Sequence, residues 1–150
     1  MGISLAINNK DISVIAYIDD AVTCTREEYD EYLKTLDESL LKLDASKDAP
    51  VKFVMRRSLR MDHLQKIKEI QATIKNSQVQ INMAYTLLEI KYALVDIVNG
   101  TGPLKYRRDS DGGASDELVS VLDSSGLLND LLAARNNALS VGEKASPKSS

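Results

Sequence analysis

Apolar and polar positions alternate in two short runs near the start of the chain. Ile3-Ser-Leu-Ala-Ile7 and Ile12-Ser-Val-Ile-Ala-Tyr-Ile18 are rich in Ile and Val, and Asn8-Asn9-Lys10-Asp11 between them supplies turn residues. The pattern predicts a β-hairpin over residues 3–18. The period then lengthens. Tyr29, Leu33, Leu36, Leu40 and Leu43 recur every three or four positions, which predicts an amphipathic helix from Arg26 to about Leu43. Thr25 and Glu28 form a capping-box signature at its start. Pro50 closes the polar loop that follows, because it blocks helix continuation. Val51-Lys-Phe-Val-Met55 alternates again and reads as a third strand pairing with the hairpin.

Helical spacing resumes after Ser58, a natural cap for a helix beginning at Leu59 with Leu64, Ile67, Ile70 and Ile74 along one side. Lys75-Asn-Ser-Gln78 either breaks this helix or bends it. Val79 to Val98 is apolar on nearly every face, the pattern of a buried central helix, and Asn99-Gly100 with Gly102-Pro103 provides its stop. Lys105 to Ala114 has no periodicity and reads as an exposed loop. Ser115 caps a short helix, and a second follows with Leu127, Leu128, Leu131, Leu132 and Ala134 on its apolar side. Together these elements predict an α+β fold, predominantly helical. A small antiparallel sheet, made of the N-terminal hairpin and the strand near 51–55, packs on four or five helices. Residues 1–141 form one domain, and 142–150 a flexible tail.

Composition narrows the function classes. The hydrophobic content of 43% suits a folded domain, while six Tyr, one Phe and no Trp leave little for an aromatic ligand platform. A net charge of −3 argues against a dedicated DNA-binding protein. The single cysteine, Cys24, forms no internal disulfide and no multi-cysteine zinc site. Gln80, Asn82, Glu89, Lys91 and Asp96 interrupt the most apolar run, so no membrane span is expected. Asn8, Asn9, Lys10 and Asp11 interrupt any signal-peptide pattern, and the expected location is the cytoplasm.

Charge is segregated along the chain. Val51 to Lys75 carries seven bases against Asp62 and Glu69. Arg56, Arg57, Arg60, Lys66 and Lys68 form the candidate basic docking face. Asp19 to Asp44 carries nine acids against three bases, and Glu27, Glu28, Glu31 and Glu38 form the candidate acidic face. Neighbouring segments of opposite sign predict pairing within the fold or between copies in a homo-oligomer. Arginine forks also suit phosphates, but no Tyr or Trp interleaves them as in a stacking platform.

Catalysis finds little purchase. His63 is the one histidine, and its neighbour Asp62 projects about 100° away on a helix and cannot orient it. It is expected on the surface or half-buried. Asp109, Asp111, Asp116 and Glu117 in the acidic loop lack the ligand register of a calcium loop, so no metal and no cofactor is expected. Cys24 lacks a basic partner and is expected to be structural.

The order of elements from Val51 to Leu139 resembles small accessory proteins of tailed bacteriophages, in particular tail-assembly proteins of the chaperone type. Val51-Lys-Phe-Val-Met-Arg-Arg-Ser-Leu59 matches a Phe-x-x-Arg-x-Leu strand at Phe53, Arg56 or Arg57, and Leu59. The leucine-rich helix pair after Asp116 matches the family's late helices. The hairpin and the acidic helix have no place in that pattern. The resemblance implies a non-enzymatic role in the host cytoplasm or the virion, holding a structural subunit or a tape-measure segment ready for assembly. Protein–protein assembly is therefore the expected function. The alternative is a nucleic-acid-associated regulator using the basic strand and helix.

Overall fold

The structure, a computed structural model, describes residues 11–74 and 77–145, with side chains through Ala138. Lys52–Met55 (β2) is the middle strand of a three-stranded antiparallel sheet, flanked by Ile12–Ile15 (β1) and Leu94–Val98 (β3). Val14 faces Phe53, and Phe53 faces Ile97. Alternation sends Phe53 and Met55 into the core, where both are fully buried. The first strand of the expected hairpin lies outside the described residues; its second strand is β1.

The second edge strand corrects the sequence reading. Val79–Val98 is not one helix: Gln78–Ala93 is helical (α3), and Leu94 swings to extended backbone and begins β3. Leu-Val-Asp-Ile-Val is suited to a pleated, half-buried surface, and pairing with β2 decides its conformation.

The acidic helix is shorter than its periodicity predicts. α1 spans Arg26–Thr35 behind the expected capping box, and Leu36 then adopts left-handed backbone at φ 58°. Asp37 caps a following 3-10 turn, Glu38–Leu41, by accepting from the Ser39 amide at 3.1 Å. The break shifts the buried position, so Leu41 is enclosed while Leu40 and Leu43 are each 37% exposed. Two tyrosines of α1 tie it to the sheet: Tyr29 donates to the Ile15 carbonyl, and the Ile15 amide donates to Tyr32, both at 2.9 Å. The end of β1 thus finds its partners on a helix.

α2 spans Met61–Ala72, two residues later than expected, with Arg60 instead of Ser58 at the cap position. It ends at Ala72 and is separate from α3, which Ser77 caps. α4 spans Asp116–Ser124 behind the predicted Ser115 cap. α5 spans Leu127–Ala145 and so continues as helix into the segment expected to be a flexible tail. Leu118, Leu122, Leu131 and Ala134 from this pair close the core. Among the described residues no helix is long and apolar enough to cross a membrane.

Candidate functional site

Several of the charged residues read from the sequence are paired locally. On the acidic side, Glu28 pairs with Lys42, Glu31 with Lys34 at 2.8 Å, and Glu38 with Lys52 at 3.1 Å; Glu27 is exposed. Lys52–Glu38 is the one ion pair among the described residues that joins the two oppositely charged segments, so the expected broad pairing within the fold does not form. On the basic side, Arg60 makes a two-pronged contact with Asp62 at 2.9 and 3.0 Å, and Lys66 donates to the Asp111 carbonyl at 3.1 Å. Lys68 is exposed. Arg56 and Arg57 are half-buried, each with its Nε enclosed and lacking a partner.

What fixes that arginine pair is Arg135 of α5, which is 3% exposed. Its Nε donates to the Arg56 carbonyl at 3.0 Å, one terminal nitrogen donates to the Arg57 carbonyl at 2.8 Å, and the other pairs with Glu89. Two carbonyls just beyond β2 are thereby satisfied by a cation from the last helix. Burial pushes the Arg135 guanidinium below its ordinary value, and Glu89 opposes that shift. Sequence reading missed Arg135 because it stands amid an apolar helix face 78 and 79 positions from its partners.

The acidic loop is not the loose segment its composition predicts. Lys91, 5% exposed on α3, spends all three of its donors there: on Asp109 at 2.8 Å, the Ala114 carbonyl at 2.8 Å and Asp116 at 3.1 Å. Asp111 stands 3.8 Å away and accepts from the Tyr92 hydroxyl at 2.9 Å. Burial works to lower the Lys91 pKa, yet the hydrogen bonds to Asp109 and Asp116 and the charge of Asp111 hold it above the ordinary value. An ammonium therefore sits where the carboxylates converge. The Gly113 backbone lies against Tyr92 so closely that a Cβ there would approach the ring to 2.9 Å.

His63 completes this wall and corrects the expectation of a surface or half-buried histidine. It is 2% exposed and stacks on Tyr92 with ring centroids 4.5 Å apart. Burial lowers its pKa; Asp62 opposes the shift, while Arg60, Lys66 and Arg56 add to it. Its Nδ1 is enclosed and lacks a partner. Cys24 is buried as well, and burial raises its pKa, which keeps the thiol protonated. Among the described residues no group of three or more His, Cys, Asp or Glu is arranged to hold a metal ion.

The least satisfied surface is apolar. The first three turns of α3, expected at the centre of the domain, stand largely outside it: Val79 is 67% exposed and Met83 61%. On the side of α3 nearer α4, a cleft of about 360 Å³ opens, floored by Ile70, Ala84, Leu87, Leu88 and Val119. One edge carries Asp116, Ser120 and Asp123 of α4, with Lys91 of α3 beside Asp116. Their four- and three-residue spacing aligns them in one stripe, with the two carboxylates about 10 Å apart along the helix. The Asp116 side chain is 88% exposed although one oxygen holds Lys91. Composition marked these residues as apolar or acidic, but their convergence depends on the break before α3.

No protein-family model, curated protein or solved structure matches this chain.

Proposed function

We propose that this chain is a non-enzymatic assembly protein that receives an amphipathic helix of a protein partner in the cleft between α2, α3 and α4. The observation that carries this reading is an apolar floor edged by an acidic stripe. A helix laid in such a groove buries its apolar face, and Lys or Arg two turns apart on its flank meets Asp116 and Asp123. The charges set orientation and rate of encounter more than affinity. The one histidine is shut off from solvent by Tyr92 and the loop, which favours a binding role over general acid–base chemistry. The tail-assembly accessory role implied by the resemblance is one form of this proposal and rests on the sequence alone.

The nucleic-acid alternative draws less support. Arg60 is committed to Asp62, Lys66 to the loop, and the Arg56–Arg57 backbone to Arg135. Among the described residues, the half-buried Arg56 and Arg57 guanidiniums and the exposed Lys68 are the basic groups left without a partner, too short a series to follow a phosphate backbone.

A photo-crosslinking amino acid at Ser120, with a second at Ser46 as the remote control, tests the reading in the native source. The expected adduct is one protein segment with apolar residues at three- and four-residue spacing and bases two turns apart. It is lost when Asp123→Lys is added. Labelling from Ser120 that matches the diffuse set from Ser46, or that disappears on nuclease treatment, contradicts the proposal.

A further inference from the structure

Because α1 stops at Leu36, a hollow of about 240 Å³ is left where its end meets the chain beyond β2 and the middle of α5. Lys34, Thr35, Leu36, Arg57 and Ala138 line it, and none of them lines the Ile70 cleft. Two long-range hydrogen bonds fix its walls. Arg135 donates to the Arg57 carbonyl at 2.8 Å, and the Asn137 side chain donates to the Leu33 carbonyl at 3.1 Å. Both come from α5, so packed elements hold the hollow in shape.

The polar side chains that line it are donors. Arg57 is half-buried with its Nε enclosed, and its guanidinium bonds to no described residue. A partly desolvated cation without a partner is rare in folded proteins and marks a place for an ion or water. Thr35 Oγ1 accepts from the Asp37 amide at 3.2 Å, which leaves its own hydrogen free to donate. Lys34 brings a second cation. Its pairing with Glu31 is a surface one, both side chains being 63% exposed, and is easily rearranged. No carboxylate of a described residue lines the hollow, although acids outnumber bases in the chain. The carbonyls at the end of α1, which would repel an anion, are partly covered: that of Tyr32 accepts from the Leu36 amide, and that of Leu33 from Asn137.

We infer that this hollow binds a small aliphatic monocarboxylate. The planar guanidinium matches a carboxylate, and the Thr35 hydroxyl and Lys34 ammonium stand beside it. Charge selects a single carboxylate. Lys34 is already matched by Glu31, so Arg57 leaves one positive charge to balance, which a doubly charged phosphate would exceed. Leu36, Ala138 and the stems of Lys34 and Arg57 make the remaining lining apolar, and an anion with no hydrocarbon would leave it bare. Size selects a short body, because the volume lies below the roughly 300 Å³ at which pockets for drug-sized ligands begin. The site does not depend on the groove reading, since the two share no lining residue.

Heteronuclear NMR of the whole chain at neutral pH and fixed ionic strength tests the inference, with sodium isovalerate as the probe. The amides of Leu36, Arg57 and Ala138 are expected to shift together, half-saturating between about 0.1 and 10 mM, the range open to so small a ligand. Isovaleramide has the shape without the charge, and inorganic phosphate the charge without the body. Each should bind about tenfold more weakly or worse. Arg57→Gln should weaken isovalerate by about tenfold or more with Tm unchanged, since the side chain bonds to nothing in the fold. Lys34→Gln, at an exposed position that leaves the fold undisturbed, should weaken it about threefold. Absence of any shift with isovalerate overturns the inference. So does binding that either substitution leaves intact, or phosphate or isovaleramide binding as tightly as isovalerate.

Discussion

The two halves of α3 reverse the usual arrangement of charge and burial. From Gln78 to Leu88 the helix is uncharged and largely uncovered; from Glu89 to Ala93 it carries Glu89 and Lys91 and is enclosed. The enclosed charges are the structural ones. Glu89 meets Arg135, which holds the chain beyond β2, and Lys91 organises the loop from Asp109 to Asp116. Burying a charge is tolerable only when its hydrogen bonds are completed, and both cations meet that condition with carbonyls as well as carboxylates. The exposed half has no such network. It is held to the domain by α2 and the continuation of its own helix.

Breaking the enclosed half should cost most at Arg135. Arg135→Met removes the donors of two carbonyls and strands Glu89, whose side chain is 13% exposed. Urea unfolding should show a loss of about 3–5 kcal/mol. Lys91→Met should cost less, about 2 kcal/mol, because the carboxylates it releases can reach water. Amide exchange in residues 105–116 should rise in that variant while the sheet keeps its protection.

A smaller effect separates His63 from both. Burial holds its folded-state pKa below the ordinary 6.5, so below that value the unfolded chain binds more protons than the folded one. Stability is therefore complete above pH 6.5 and falls as the pH drops through it, levelling once the folded state also protonates. Asp111 acts later, since its pKa lies below its ordinary 3.8 despite burial, through the Gly113 amide, the Tyr92 hydroxyl and Lys91. A Tm titration from neutral pH toward 5 should slope downward in the wild type. It should be nearly flat in His63→Gln, whatever that variant costs at neutral pH.

The sequence made the local rules readable and the long-range ones invisible. Thr25 with Glu28, and Ser115, announce α1 and α4 because capping is decided within four residues. The Leu127–Ala134 face announces α5 for the same reason. Leu94 gives no such notice: its change from helix to strand is decided by β2, some forty residues earlier in the chain. Leu36 hides its left-handed turn because nothing in a Leu favours one. The acidic loop was legible as acidic, but the cation that orders it comes from 18 and 25 positions before the carboxylates it binds. The apolar run from Val79 was legible as well. Its exposure was not, because apolar composition ordinarily signals burial and here accompanies an uncovered face.

Amide hydrogen exchange along α3 tests this contrast most directly. The account predicts a step near Leu88, with weak protection for the turns before it and protection approaching that of global unfolding from Ile90 to Ala93. Uniform strong protection from Gln78 onward would contradict it, because the first half of the helix would then be held by the domain as firmly as the second.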